Sequence, residues 1–274
     1  MVHGVDFLRE VNLGNAVPIG EKVVVIGGGD VAIDSARVAL RLGAKEVTVV
    51  YRRTHKEMPA VASEVEEAER EGIKLLLLAA PARILSGNGR AKGVEFLHME
   101  LGKYDESGRR RPVPIEGSEF VIDADMVIPA VGQSPDLSFL SEVEVTRWGT
   151  IAVDLGTLAT NVPGAFAAGD AVTGPRTVTE AIAAGKRAAA SINRYLKGEP
   201  LQVPPVIRKK AKDEDEKAKR TPPEAEADVP RTEIPSLSLG ERVKSFAEVE
   251  LCFTEEMAIA EAKRCLRCDL EEWE

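Results

Sequence analysis

The stretch Glu21–Asp34, E-K-V-V-V-I-G-G-G-D-V-A-I-D, leaves this chain few folds to choose from. Val23 to Ile26 form a β-branched run, as a strand buried on both faces of a parallel sheet requires. Three glycines follow, and a helical pattern begins at once. Gly27, Gly29 and Ala32 give the spacing G-x-G-x-x-A, the dinucleotide-binding fingerprint with alanine in third place. The first glycine allows the tight turn, the second lets the backbone approach a pyrophosphate, and the third small residue lets helix and strand pack closely. Phosphates then sit on free N–H groups at the positive end of the helix. The candidate contacts are Gly27, Gly28, Gly29, Asp30, Val31 and Ala32. An ordinary strand–helix turn is the alternative, and the expected flanks on both sides weigh against it.

The next residues complete a βαβ unit of about thirty residues. Val31, Ser35, Val38 and Leu42 recur at helical spacing, Gly43 stops the helix, and Glu46–Tyr51 reads as the second strand. NAD-specific sites place a carboxylate at the end of that strand to hold the ribose hydroxyls. This chain has Tyr51-Arg52-Arg53 there. No acid repels a 2′-phosphate and two guanidiniums are available to pair with one, so NADP(H) is expected over NAD(H). Solvated surface charge is the alternative for either arginine.

A second crossover helix is expected over 59–71 and a third buried strand over 73–79. Residues 81–120 change to short alternating runs, with 94–98 as one strand and 105–108 as a hairpin turn. His98 lies in an alternating strand with no second ligand at metal spacing, and is read as structural. Met126–Val131 is a further strand ended by Gly132. Residues 149–154 form a short strand, and small residues run as another strand into Gly169-Asp170, a place for a carboxylate to meet a ribityl hydroxyl or a phosphate-bound water. A plain turn is the alternative there. Thr177–Leu196 is a long helix with Val178, Ile182, Ala189, Ile192 and Leu196 on one stripe, and its amino end offers N–H groups and a positive dipole.

Residues 199–235 are Pro-rich and of mixed charge, and read as a linker. In the tail 236–274, Thr254 caps a helix with Glu255 and Glu256 in its first turn. Cys265-x-x-Cys268 is a pair of soft ligands suited to an Fe–S cluster or zinc, or a redox pair. Either metal site needs four ligands, so the rest must come from outside this chain. Cys252 reads as a small buried apolar residue. A net charge of −9 speaks against nucleic acid as the main partner, and the apolar runs are strand-sized, so no membrane span is expected. Three cysteines and no visible signal peptide point to the cytoplasm.

Five motifs occur together and in order: V-V-I-G-G-G-D-V-A-I-D at 24–34, V-T-V-V-Y-R-R at 47–53 followed by E-M-P at 57–59, G-R-R-R at 108–111, M-V-I-P-A-V-G at 126–132, and A-A-G-D at 167–170. Over roughly residues 5–197 the chain resembles the carboxy-terminal portion of the small (beta) subunit of NADPH-dependent glutamate synthase and its relatives, among them dihydropyrimidine dehydrogenase and ferredoxin–NADP reductase subunits. The resemblance implies an α/β fold in which a Rossmann-like NADP(H)-binding domain is inserted into an FAD-binding domain, here incomplete, followed by a linker and a helical tail. Residues 1–20 would lead in from the FAD domain, 21–132 would bind NADP(H), and 133–198 would be the carboxy-terminal part of the FAD domain. Carried over, Gly27, Gly29 and Ala32 hold the NADPH pyrophosphate and Arg52 and Arg53 its 2′-phosphate. Gly132, Gly169 and Asp170 belong to the FAD site, with Thr177 and Val178 at the helix end facing the flavin. The family's first glycine fingerprint, which binds FAD, is absent, so the chain is expected to be part of a larger enzyme. Its partner would be the missing FAD/Fe–S portion or an oxidoreductase subunit, with Cys265 and Cys268 sharing a cluster with it. An isolated NADP(H)-binding module without flavin is the competing expectation.

Overall fold

A computed structural model of the chain describes residues 1–105, 108–201 and 230–264. They form two compact units: residues 1–132 with the described carboxy-terminal residues, and residues 133–201.

In the first unit the amino-terminal helix α1 (Gly4–Asn12) precedes β1 (Lys22–Ile26), α2 (Asp30–Arg41), β2 (Glu46–Tyr51), α3 (Ala62–Arg70) and β3 (Lys74–Leu77). Then come β4 (Ala79–Gly87), β5 (Arg90–Tyr104), β6 (Arg110–Asp123) and β7 (Met126–Pro129). The parallel sheet has the order β3-β2-β1-β7, so β1 lies in the middle, with Val23 paired to Val47 on one side and to Met126 on the other. Strand alternation sends Val23, Val25, Val47 and Val49 into a core shared with α2 and α3. It sends Val24, Ile26 and Val50 to the other face, where Val94 and Phe96 of the antiparallel sheet β4-β5-β6 cover them. Val23, Val24 and Val25 are at most 1 % exposed, and burying each contributes roughly 1.5–3 kcal/mol. This two-sided burial is why the run lacks polar alternation.

Three expectations change in the structure and one holds. The buried face of α2 is Ala32, Ile33, Ser35, Ala36 and Ala39, mostly small residues that let the helix lie close to the sheet, and Val31 with Ser35 faces Gly4 of α1. The strand expected over 73–79 breaks at Leu78, whose φ of 53° is left-handed. Its N–H donates to the Arg53 carbonyl at 3.1 Å and its own carbonyl accepts from Met99 N–H at 2.7 Å, so the chain leaves one sheet and enters the other there. Cys252 is exposed, and nothing among the described residues packs over it. His98 stays structural, stacked on Phe120 with ring centroids 4.4 Å apart.

Residues 230–264 carry α6 (Leu239–Arg242) and α7 (Glu255–Lys263), the latter capped by Thr254 Oγ1 accepting from Met257 N–H at 3.3 Å. Arg242 is buried and inserts between Glu67 and Glu71. Glu71 also receives Arg37 at 2.8 Å and Arg41 at 2.9 Å. This ion network fixes the carboxy-terminal segment to α2 and α3.

In the second unit, the strands expected at 149–154 and before Gly169 are reduced to single bridges, Val145 with Ile151 and Ala159 with Phe166, because no neighbouring strand among the described residues extends either ladder. A single-turn helix (Asp170–Thr173), here α4, leads to α5 (Val178–Leu196). The apolar stripe expected on α5 is open: Val178 is 76 % and Leu196 77 % exposed, while Ala188 and Ser191 are the buried residues. Among the described residues nothing covers that face.

Candidate functional site

The parallel sheet reverses its winding between β1 and β7, and in open α/β sheets ligands bind beyond the carboxyl ends of the strands at such a point. Gly27 to Gly29 stand there. Gly27 N–H donates to Val50 O at 3.0 Å and Ala130 N–H to Ile26 O at 2.8 Å, so the turn is pinned from both neighbouring strands. A Cβ on Gly27 would lie 2.3 Å from Ala130 O, and its φ is +152°. A Cβ on Gly28 would lie 2.4 Å from the Tyr51 ring, which forms the floor of the turn. Tyr51 is fixed in turn, its hydroxyl donating to Glu57 O at 2.7 Å. Gly29 differs from both. The nearest atom to its Cβ position is Pro59 Cγ at 3.8 Å, so the space beside it is open.

Gly29 is also the N-cap of α2, and no side chain caps the helix. Ala32 N–H turns back to Gly29 O at 2.9 Å, while the amides of Gly29, Asp30 and Val31 find no acceptor among the described residues. Three donors at a positive helix end, beside a space that a single methyl group would begin to fill, fit a dinucleotide pyrophosphate. Ala32 is fully buried against the sheet, as the third fingerprint position demands. The Asp30 carboxylate is directed elsewhere. Its Oδ1 accepts from Val61 N–H at 3.0 Å, and Gly28 O accepts from Ala60 N–H at 3.1 Å, which draws the 59–61 loop alongside the glycine turn.

The two arginines after β2 part company. Arg52 is exposed. Arg53 is buried, with Nε donating to Arg110 O at 2.7 Å and Nη2 to Asp105 Oδ2 at 2.8 Å. The loop beyond them is closed by a capping box between Thr54 and Glu57, and the hydrogen bond from Thr54 holds the Glu57 carboxyl below its ordinary range. The sequence assigns Tyr51, the 59–61 loop and Asp105 no part in the site. Their roles depend on contacts across the chain that leave no local pattern.

Gly132, with φ of +103°, ends the segment after β7. In the second unit, Gly169 has φ 68° and ψ −151°, a conformation essentially reserved for glycine. Asp170 Oδ1 accepts from Arg176 N–H at 3.2 Å. Beside it lies a groove of about 210 Å³, walled by Gly169, Asp170, Arg176, Glu180 and Ala181. Thr177 caps α5 through a reciprocal box: its Oγ1 accepts from Glu180 N–H at 3.2 Å, and Glu180 accepts from Thr177 N–H at 3.0 Å, a bond that holds the Glu180 carboxyl low. The amides of Val178 and Thr179 remain without an acceptor among the described residues. Such a groove, with a glycine-only corner and open helix amides, has the chemistry to receive part of a flavin nucleotide. Cys265 and Cys268 lie outside the described residues.

Residues 1–185 match the family described as pyridine nucleotide-disulphide oxidoreductase. The chain belongs to that family. Over 97 % of its length it is 48 % identical to the NADP(+)-dependent formate dehydrogenase subunit beta of Moorella thermoacetica, of which it spans 38 %. Over 72 % it is 43 % identical to the glutamate synthase [NADPH] small chain of Azospirillum brasilense, of which it spans 44 %. The resemblance seen in the sequence is borne out. Among solved structures, thioredoxin reductase of T. acidophilum superposes with a TM-score of 0.55 at 25 % identity, over 72 % of this chain and 57 % of that one. The chain thus has the α/β fold of the pyridine nucleotide oxidoreductases, and spans less than half the length of these two relatives. Among the described residues no helix is long and apolar enough to cross a membrane.

Proposed function

We propose that the chain is the NADP(H)-binding part, with the carboxy-terminal portion of the flavin site, of an oxidoreductase component in which NADPH reduces FAD and electrons pass on to Fe–S centres or a partner subunit. One observation carries this reading: the open backbone cradle at Gly29–Val31 stands at the switch point of the parallel sheet, with an exposed arginine, not a carboxylate, at the end of β2. In this reading Gly27 shapes the turn and Gly29, Asp30 and Val31 donate amides to the pyrophosphate. Ala32 brings α2 close enough for its dipole to act. Arg52 takes the 2′-phosphate, a charge-assisted bond that NAD(H) cannot make. Gly169, Asp170 and the amino end of α5, at Thr177 and Val178, contribute to the FAD site, and Gly132 begins the segment leading to it. Bound FAD supplies a two-electron acceptor for a hydride and a one-electron donor to clusters. The chain's residues bind and orient the dinucleotide; no side chain is assigned as a general acid or base. Cys265 and Cys268 are assigned to a cluster completed by ligands from outside the chain.

An anaerobic visible spectrum of the chain purified together with the portion that completes its flavin site, recorded before and after adding NADPH, tests the reading. Flavin bands that bleach on addition are the expected result. A colourless protein that still binds NADPH would leave a nucleotide-binding module and remove the flavin step.

A further inference from the structure

We propose that Asp105, at the tip of the β5–β6 hairpin, is a positioning residue for dinucleotide selection, holding Arg53 in a buried clamp so that the neighbouring Arg52 alone is presented to the 2′-phosphate. This rests on the NADP(H) reading above and divides its two arginines between two tasks.

Arg52 and Arg53 lie in the bend that follows β2, where Arg52 is exposed and Arg53 is buried, so the two do not face one ligand together without rearrangement. Arg53 is committed to the protein side. Its side chain is 5 % exposed, and its fork is held at two points, the Arg110 carbonyl at 2.7 Å and the Asp105 carboxylate at 2.8 Å. Asp105 is itself part of the hairpin turn: its Oδ1 accepts from Arg109 N–H at 3.3 Å and its N–H donates to Arg109 O at 2.7 Å. The Arg53 carbonyl accepts from Leu78 N–H at 3.1 Å, which ties the same residue to the crossing between the two sheets. Swinging the guanidinium outward would break both bonds, one of them charge-assisted. The clamp therefore fixes the backbone from which Arg52 extends, and a fixed backbone lowers the ordering cost of the bond that Arg52 makes.

The experiment is titration calorimetry of NADP+ and NAD+ on the full chain. The wild type is expected to prefer NADP+. Arg52→Ala should reduce that preference about tenfold or more with NAD+ binding unchanged, the scale of a hydrogen bond to a charged group. Asp105→Asn should reduce the preference roughly three- to tenfold, and Asp105→Glu should restore it, since the coupling runs through a charged pair. If circular dichroism shows Asp105→Asn unfolded, Asp105→Ser, which removes the same carboxylate and keeps an acceptor for the Arg109 amide, is read in the same way.

The sign of the change decides. Were Arg53 a direct phosphate ligand, removing its competing carboxylate would free it and raise the NADP+ preference. A raised or unchanged preference overturns the proposal. A wild type with no preference for NADP+ instead overturns the NADP(H) reading, and it does so before any variant is measured.

Discussion

At the scale of single residues, the three consecutive glycines do three different jobs, and the structure separates them by what a methyl group would meet. On Gly27 it would meet a backbone carbonyl at 2.3 Å at a positive φ, and neither yields cheaply. Gly27→Ala should therefore destabilise the chain by about 1–3 kcal/mol, seen as a lowered midpoint in urea. On Gly29 a methyl group meets nothing closer than 3.8 Å. Gly29→Ala should leave the urea midpoint nearly unchanged while weakening NADP+ binding about tenfold or more by occupying the approach of the pyrophosphate. Equal loss of stability in both variants would refute the distinction.

At the scale of elements, the carboxy-terminal segment is held to α2 and α3 by a network centred on Glu71, whose side chain is fully buried. Burial alone would raise the Glu71 carboxyl, but the hydrogen bonds and charges of Arg37 and Arg41 outweigh it and hold the group below its ordinary value of 4.5. A carboxyl depressed by folding contributes stability above its unfolded value and loses it as the pH falls through the folded one. Wild-type stability should fall as the pH drops below 4.5, and Glu71→Gln should flatten that part of the profile. At neutral pH, Glu71→Gln should cost about 3–5 kcal/mol, because it leaves Arg37, Arg41 and Arg242 facing a neutral group. Thermal unfolding across pH values checks both. Arg242→Ala should release residues 230–264 to rapid hydrogen exchange while NADP+ affinity holds, since the network lies away from the glycine turn.

At the scale of the whole molecule, the two units make different demands. The first has a double core and a complete parallel sheet, whereas the second keeps its longest helix with an open apolar stripe. A ligand that binds only the folded state stabilises what it touches, by roughly 2.7 kcal/mol at a hundredfold excess over Kd. Saturating NADP+ should slow hydrogen exchange around 23–33 and 50–61, with residues 133–201 little changed. Protection confined to 133–201 would place the dinucleotide on the wrong unit. The partner that completes the flavin site, in turn, should protect α5.

The sequence determined the βαβ start, the dinucleotide fingerprint and the missing acid after β2, because all three are local. Buried strands need β-branched runs, tight turns need glycine, and cofactor choice is written at one strand end. Family membership was equally legible, since five short motifs stand in order. The tertiary structure alone decided what depends on contacts between distant residues. Nothing around Leu78 announces that the chain changes sheets there, because the apolar run continues through a backbone set by Arg53 and Met99. Nothing in Arg52-Arg53 says which arginine is buried, because the answer lies some fifty residues on, at Asp105. The stripe on α5 has the spacing of a core face, and only the folded unit shows it exposed among the described residues. Periodicity records which side of a helix is apolar; what covers that side is a property of the assembled surface.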